Sequence, residues 1–274
     1  MNGMLSPSEM MNACTGAGVR KCALTPLRAF LLAILAGALI AFGGAATNTA
    51  AHTAQGAGFV RLICGLLFPF GLGIVILTGS ELFTGNCLIA VSLAQKKVTP
   101  SAMLKNWIVV YCGNFVGSLL VAACCAFTGQ MDYSSGGLAT FTMKLAASKC
   151  ALGFGSAVAL GIACNVLVCL GVLCAMTAKD TIGKIFGAYL PVALFVLCGF
   201  EHSVANMFYV PAGLFAKSIP AYAALAAGAG LDLSGLSWGA FLLNNLLPVT
   251  IGNIIGGAGV GLLLWMGHRS VPKA

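Results

Sequence analysis

Gly79-Ser80-Glu81-Leu82-Phe83-Thr84-Gly85-Asn86 and Gly199-Phe200-Glu201-His202-Ser203-Val204-Ala205-Asn206 are two polar islands set in long apolar stretches. Each places a carboxylate two residues after a glycine, and an asparagine five residues after the carboxylate. The chain has only six acidic residues, so two inside apolar segments of bilayer length require a reason. A charge at membrane depth is costly, and it marks either a functional site or a buried polar network.

The composition around the islands points to lipid. Only 7% of residues are charged and mean hydropathy is +1.00, which excludes a soluble domain and leaves no room for a sizeable one outside the membrane. Lys and Arg outnumber Asp and Glu by 14 to 6, yet they stand singly or in pairs at segment ends. That placement sets topology and argues against a nucleic-acid partner. The twelve cysteines form no CxxC pair and no Cys/His ligand spacing, so neither a metal nor a cofactor is expected.

Six spans follow from the apolar runs. Span 1 covers about 26–46. The stretch 59–94 is too long for one straight span and carries Pro69 and the first island, so it reads as a broken helix. Span 3 covers about 107–127, a loop follows over 128–148, and span 4 covers about 151–175. The stretch 185–215 repeats the broken pattern around the second island, its second half ending near Pro211, and span 6 covers about 238–266. The chain divides into an N-terminal segment 1–25, a single transmembrane unit 26–266 and a tail 267–274. The N-terminal segment reads either as a poorly ordered end or as a short surface helix with Met10, Met11, Ala13, Cys14 and Ala17 on one face. A cleaved signal peptide is not expected, because the next apolar run has full spanning length. Six spans place both termini on one side. Arg20, Lys21, Arg28, Lys96, Lys97, Lys105, Lys179, Lys184, Arg269 and Lys273 fall on that side, and Arg61, Lys144, Lys149 and Lys217 on the other. The bias predicts that the termini are cytoplasmic.

A second motif is also duplicated: Gly113-Asn114-Phe115-Val116-Gly117 and Gly252-Asn253-Ile254-Ile255-Gly256. Two motifs in the same order predict two homologous three-span halves, about 26–128 and 150–266. An odd number of spans per half inverts one half relative to the other, so the broken helices meet near the midplane. Asn114 and Asn253 suit buried hydrogen bonding at a close helix crossing. Glu81 and Glu201 suit internal caps, with Asn86, Asn165 and Asn206 as partners. His202 is the only histidine in an apolar segment and is either a satisfied core residue or a proton-exchanging group. Thr84 either bonds its own backbone or donates to an anion. Lys149 either snorkels or draws anions inward. Phe68, Leu72, Phe195, Leu82 and Phe83 are either packing or apolar constrictions on either side of His202.

Taken together, these motifs resemble the formate/nitrite transporter family. The carrying residues are 79–86, Asn106-Trp107 with Tyr111-x-Gly113-Asn114-x-x-Gly117, Gly-Phe-Glu-His-Ser-Val-Ala-Asn-Met at 199–207 and Pro-Val-Thr-Ile-Gly-Asn-Ile-Ile-Gly-Gly at 248–257. The resemblance implies an all-α, aquaporin-like protomer of six transmembrane helices in two inverted repeats, a homopentamer in the bacterial plasma membrane, and one pore per protomer. It implies a channel, not an enzyme, for small monovalent anions: formate first, with nitrite, hydrosulfide, acetate and lactate also considered. By position, His202 matches the family's central histidine, Thr84 its pore threonine and Lys149 its lysine. Phe68, Leu72 and Phe195 match the outer constriction; Leu82, Phe83, Asn165 and Val168 match the inner one. The N-terminal segment matches a cytoplasmic gating helix. The rival is a water or small-neutral-solute facilitator, which needs no central histidine. A membrane redox enzyme lacks the ligand spacings, and a structural scaffold predicts no flux.

Overall fold

A computed structural model describes residues 4–268 and is helical throughout, apart from turns and one β-bridge between Met4 and Ala178 among the described residues. In chain order the helices are α1 (Pro7–Ala23), α2 (Pro26–Ala51), α3 (Ala57–Leu67), α4 (Phe70–Thr78), α5 (Phe83–Asn86), α6 (Ile89–Ala94), α7 (Pro100–Phe127), α8 (Tyr133–Cys150), α9 (Phe154–Thr177), α10 (Thr181–Cys198), α11 (Ser203–Ser218), α12 (Pro220–Gly228), α13 (Trp238–Ala240) and α14 (Leu247–His268). A π-helical stretch, Phe241–Leu246, joins α13 to α14. Six helical segments are long and apolar enough to cross a membrane: α2, α3 with α4, α7, α9, α10, and Trp238–His268. The chain is therefore an all-α polytopic membrane protein. Arg269 and Lys273, used in the charge count, lie outside the described residues together with most of the 267–274 tail.

The second and fifth spans are broken as expected. Gly79 (φ 66°) and Gly199 (φ 72°) end α4 and α10 in the left-handed conformation, which suits a residue without Cβ. The chain runs extended through the island and re-enters a helix at Phe83 or Ser203. Irregular backbone inside a membrane protein must find internal partners. Here Glu81 N–H donates to Leu32 O and Glu201 N–H to Leu160 O, both at 3.3 Å. Phe83 N–H and Ser203 N–H donate to the side-chain carbonyls of Asn114 and Asn253, both at 2.9 Å. The Gly-Asn-x-x-Gly motifs lie where α7 crosses α2 and α14 crosses α9. A Cβ on Gly117 would overlap Ile34 backbone, and one on Gly256 would overlap Ile162 backbone. Small residues here let the helices approach closely enough for the asparagines to reach across.

Two local expectations are corrected, and one open alternative is decided in favour of a helix. Residues 128–148, read as a loop, lie mostly in α8, which starts with left-handed turns at Ser134, Ser135 and Gly136. Their mixed polarity hid a helix that lies along α11, burying Leu138, Ala139, Met143 and Ala146. The N-terminal segment is an ordered helix. Ser6 and Glu9 close a capping box around Pro7, and Met10, Met11, Cys14 and Gly18 are buried. The half-helix expected to end near Pro211 continues to Ser218, with Pro211 inside it, and then bends by 97° into α12.

Candidate functional site

Each island organises a network, and the two networks match partner for partner. Glu81 accepts from Lys21 Nζ at 2.8 Å and from Asn86 Nδ2 at 2.7 Å. Glu201 accepts from Lys149 Nζ at 2.8 and 3.0 Å and from Asn206 Nδ2 at 2.6 Å. Asn86 also donates to Asn106 Oδ1, and Asn206 to Asn245 Oδ1. Asn106 donates to Lys21 O, and Asn245 to Lys149 O. Asn114 donates to Ala33 O and Glu81 O, while Asn253 donates to Gly161 O and Glu201 O. Both carboxylates are thus buried, ion-paired and hydrogen-bonded, the arrangement that makes a buried charge tolerable. Asn86 and Asn206 partner the glutamates as expected. Asn165 does not: it donates to Thr84 O at 3.1 Å and to Asn253 O at 2.6 Å, joining the halves.

Lys21, Asn106 and Asn245 were not among the candidate site residues. Signals for them exist in the sequence. Lys-Cys-Ala-Leu occurs at 21–24 and again at 149–152, each immediately before a long span. Asn106 and Asn245 each precede the motif asparagine by eight residues.

Two cavities open on the networks. The first, about 560 Å³, is lined by Lys21, Leu32, Leu72, Glu81, Leu82 and Asn86, with Arg20 and Lys184 on its wall. The second, about 550 Å³, is lined by Lys149, Leu160, Phe68, Phe195, Glu201, His202, Asn206 and Tyr209, with Arg61 and Lys144 on its wall. No described residue lines both. The cations divide between the cavities as the charge count divides them between membrane faces. Leu72, expected beside Phe68 and Phe195, lines the first cavity with Leu82. Phe83 lines neither cavity; its ring meets Trp107 and Tyr111 edge-on at 6.2 and 4.8 Å. Val168, Asn165 and Thr84 are buried and also line neither.

The two sides meet at Thr84 and His202. Thr84 Oγ1 lies 3.0 Å from His202 Nε2. Ala205 N–H donates to His202 Nδ1 at 3.0 Å, so the histidine side chain caps α11. An Nδ1 that accepts a backbone hydrogen leaves the ring hydrogen on Nε2, which therefore donates to Thr84. The Thr84 hydroxyl hydrogen remains available to a further acceptor. Phe195 stacks on the His202 ring at 5.8 Å, and Phe68 meets Phe195 edge-on at 5.8 Å. At the equivalent places in the opposite island stand Leu82, in place of His202, and Val204, in place of Thr84. The site therefore holds one hydroxyl–imidazole pair at 0% and 3% exposure, with apolar side chains around it.

Six apolar spans, two broken helices and two cation-lined cavities, the second of them reaching His202, are the features of a polytopic membrane transport protein. A family model described as Formate/nitrite transporter matches residues 8–266. The chain belongs to that family. It is 38% identical to the formate channel FocA of Escherichia coli strain K12, over 96% of this chain and 94% of the relative. It is 36% identical to the formate channel FocA of Haemophilus influenzae, over 93% and 91%. A solved structure titled "Pentameric formate channel with formate bound" superposes with a TM-score of 0.79 at 34% identity, covering 89% of this chain and 97% of that one.

Proposed function

We propose that the chain is a channel for small monovalent anions of weak acids, formate foremost, with nitrite and hydrosulfide as further substrates. One observation carries this reading: a buried hydroxyl–imidazole pair lies between two cavities, each with three cations and one carboxylate on its wall. Two related chains named formate channels and a neighbour titled as formate-bound support the choice of anion. The halves are read as inverted repeats with an aquaporin-like arrangement, because each contributes three spans around one network. The assembly is read as a homopentamer in the bacterial plasma membrane, with both termini cytoplasmic. The first cavity is then the inner vestibule and the second the outer one. The transmembrane unit is taken as 26–266, with α1 as a cytoplasmic gate packed on it.

In this reading Phe68 and Phe195 form the outer apolar slit, while Leu82 and Leu72 form the inner one. An anion between them meets the Thr84 hydroxyl, whose oxygen accepts from His202 and whose hydrogen is left to donate. Crossing a slit as the neutral acid removes most of the charge penalty. His202 in its capped form is a fixed donor. To relay a proton it must accept one at Nδ1, and the Ala205 cap must then open.

The test is anion flux in proteoliposomes with formate, nitrite and hydrosulfide at two pH values, for wild type and His202→Asn. Asn keeps a cap acceptor for Ala205 but cannot titrate. Formate flux whose pH dependence flattens in the variant supports both channel and relay. Formate flux with unaltered pH dependence removes the relay and keeps the channel. Osmotic flux of water or glycerol without anion flux overturns the reading in favour of a neutral-solute facilitator.

A further inference from the structure

The lysine expected to draw anions inward is already engaged. Lys149 Nζ contacts both Glu201 oxygens and lies 5.4 Å from the Tyr209 ring centre. Its charge is largely neutralised before an anion arrives. The same cavity holds a second cation in a different state. Arg61, at the start of the broken second span, lines the cavity and makes no hydrogen bond or ion pair with any described residue. Its guanidinium lies over Gly199, the first residue of the second island. A Cβ there would stand 2.8 Å from Nη1 and 3.0 Å from Nη2, so the bare glycine lets the guanidinium sit directly against the island.

Duplication of the fold does not account for Arg61. Its counterpart in the second half is Thr181, and the counterpart of Lys184 is Cys64. Yet Arg61 and Lys184 end on the walls of opposite cavities, each beside a lysine already paired with its glutamate. The repeat thus dictates the paired lysines, and each cavity acquires its unpaired cations separately.

We propose that Arg61 is the anion-capture residue of the second cavity and that its guanidinium fork favours planar anions with two oxygens. The inference rests on the anion-channel reading above and deepens it. A guanidinium presents parallel N–H donors that match a carboxylate or nitrite, which a lysine ammonium cannot do. It is also weakly hydrated, so it gives up water readily as an anion docks. Lys144, on the same wall and likewise without a hydrogen bond or ion pair among the described residues, adds charge without a fork. Clefts lined by one sign of charge raise local counter-ion concentration, and salt removes the effect.

The experiment measures formate flux against concentration in proteoliposomes with wild type, Arg61→Gln, Arg61→Lys and Lys144→Gln, at low and high potassium chloride. Arg61→Gln is expected to raise the half-saturating formate concentration about tenfold at low salt. The change falls on half-saturation and not on maximal flux, and it shrinks at about 1 M salt, where the screening length is about 3 Å. Arg61→Lys restores the salt dependence but only part of the affinity, and Lys144→Gln has a smaller effect than Arg61→Gln. A half-saturation in Arg61→Gln equal to wild type overturns the proposal. Full affinity in Arg61→Lys overturns the fork, and this variant decides if the glutamine variant fails to fold. A wild-type protein that carries no anion overturns the channel reading itself, a different outcome from a wild-type channel indifferent to Arg61.

Discussion

The first island and the second are built on one frame and filled differently. Both have a left-handed glycine, a glutamate paired with a lysine, a bridging asparagine and a second asparagine from the crossing helix. At the frame's two central positions the halves part: Leu82 and Thr84 in one, His202 and Val204 in the other. Residues that repeat hold the backbone where two helices are interrupted. Residues that break the repeat give the protein a single polar spot where symmetry alone would give two or none.

The largest effect that could break this comparison is loss of a buried countercharge. Lys149→Met leaves Glu201 unpaired, a loss of about 3–5 kcal/mol for a buried pair. Lys21→Met should destabilise less, because Lys21 is 26% exposed against 12% for Lys149, and one glutamate oxygen is contacted instead of two. Thermal unfolding in detergent gives the order, and equal losses would contradict the difference in burial. Next come the crossing asparagines. Asn114→Ala and Asn253→Ala each strand the same set of backbone groups, so each should cost about 1–3 kcal/mol for every buried group left unsatisfied, with matching totals. Unequal melting shifts would mean that the two frames are not energetically equivalent.

Thr84→Val makes the halves alike at that position and removes the hydroxyl beside His202. A hydrogen bond to a charged partner contributes about 1.5–3 kcal/mol, so formate flux should fall by about ten- to hundredfold. Unchanged flux would remove Thr84 from the pathway. The smallest effect concerns α1 alone. The Ser6 backbone N–H, then its hydroxyl, holds the Glu9 carboxyl below its ordinary 4.5. A depressed carboxylate stabilises the folded form fully above about pH 4.5 and loses that contribution as pH falls through the lowered value. Limited proteolysis near the N-terminus should accelerate in that acid window, and Glu9→Gln should remove the pH step. A step that persists in Glu9→Gln would point to another group.

The sequence made the islands legible because a charge in an apolar run is conspicuous, and it made the crossings legible because Gly-Asn-x-x-Gly is duplicated intact. It did not reveal α8, whose mixed composition resembles a loop until its apolar face is laid on α11. Nor did it reveal the service of Lys21 to Glu81. A lysine sixty residues before its partner looks like a topology marker, and only the fold brings them within 2.8 Å. Phe83 shows the limit on the other side. An aromatic residue beside Thr84 invites a place in a pore constriction, and only the fold sets its ring edge-on to Trp107 and Tyr111.

The capping role of His202 ties two kinds of event to one nitrogen. Whatever changes the state of the Nδ1 lone pair also releases the amide of Ala205 from its only side-chain acceptor. Solvent exchange at that single backbone hydrogen would then act as a built-in meter of the imidazole. It would run slowly while the ring holds the first turn of α11 and quicken whenever the ring lets go, without any label attached to the protein.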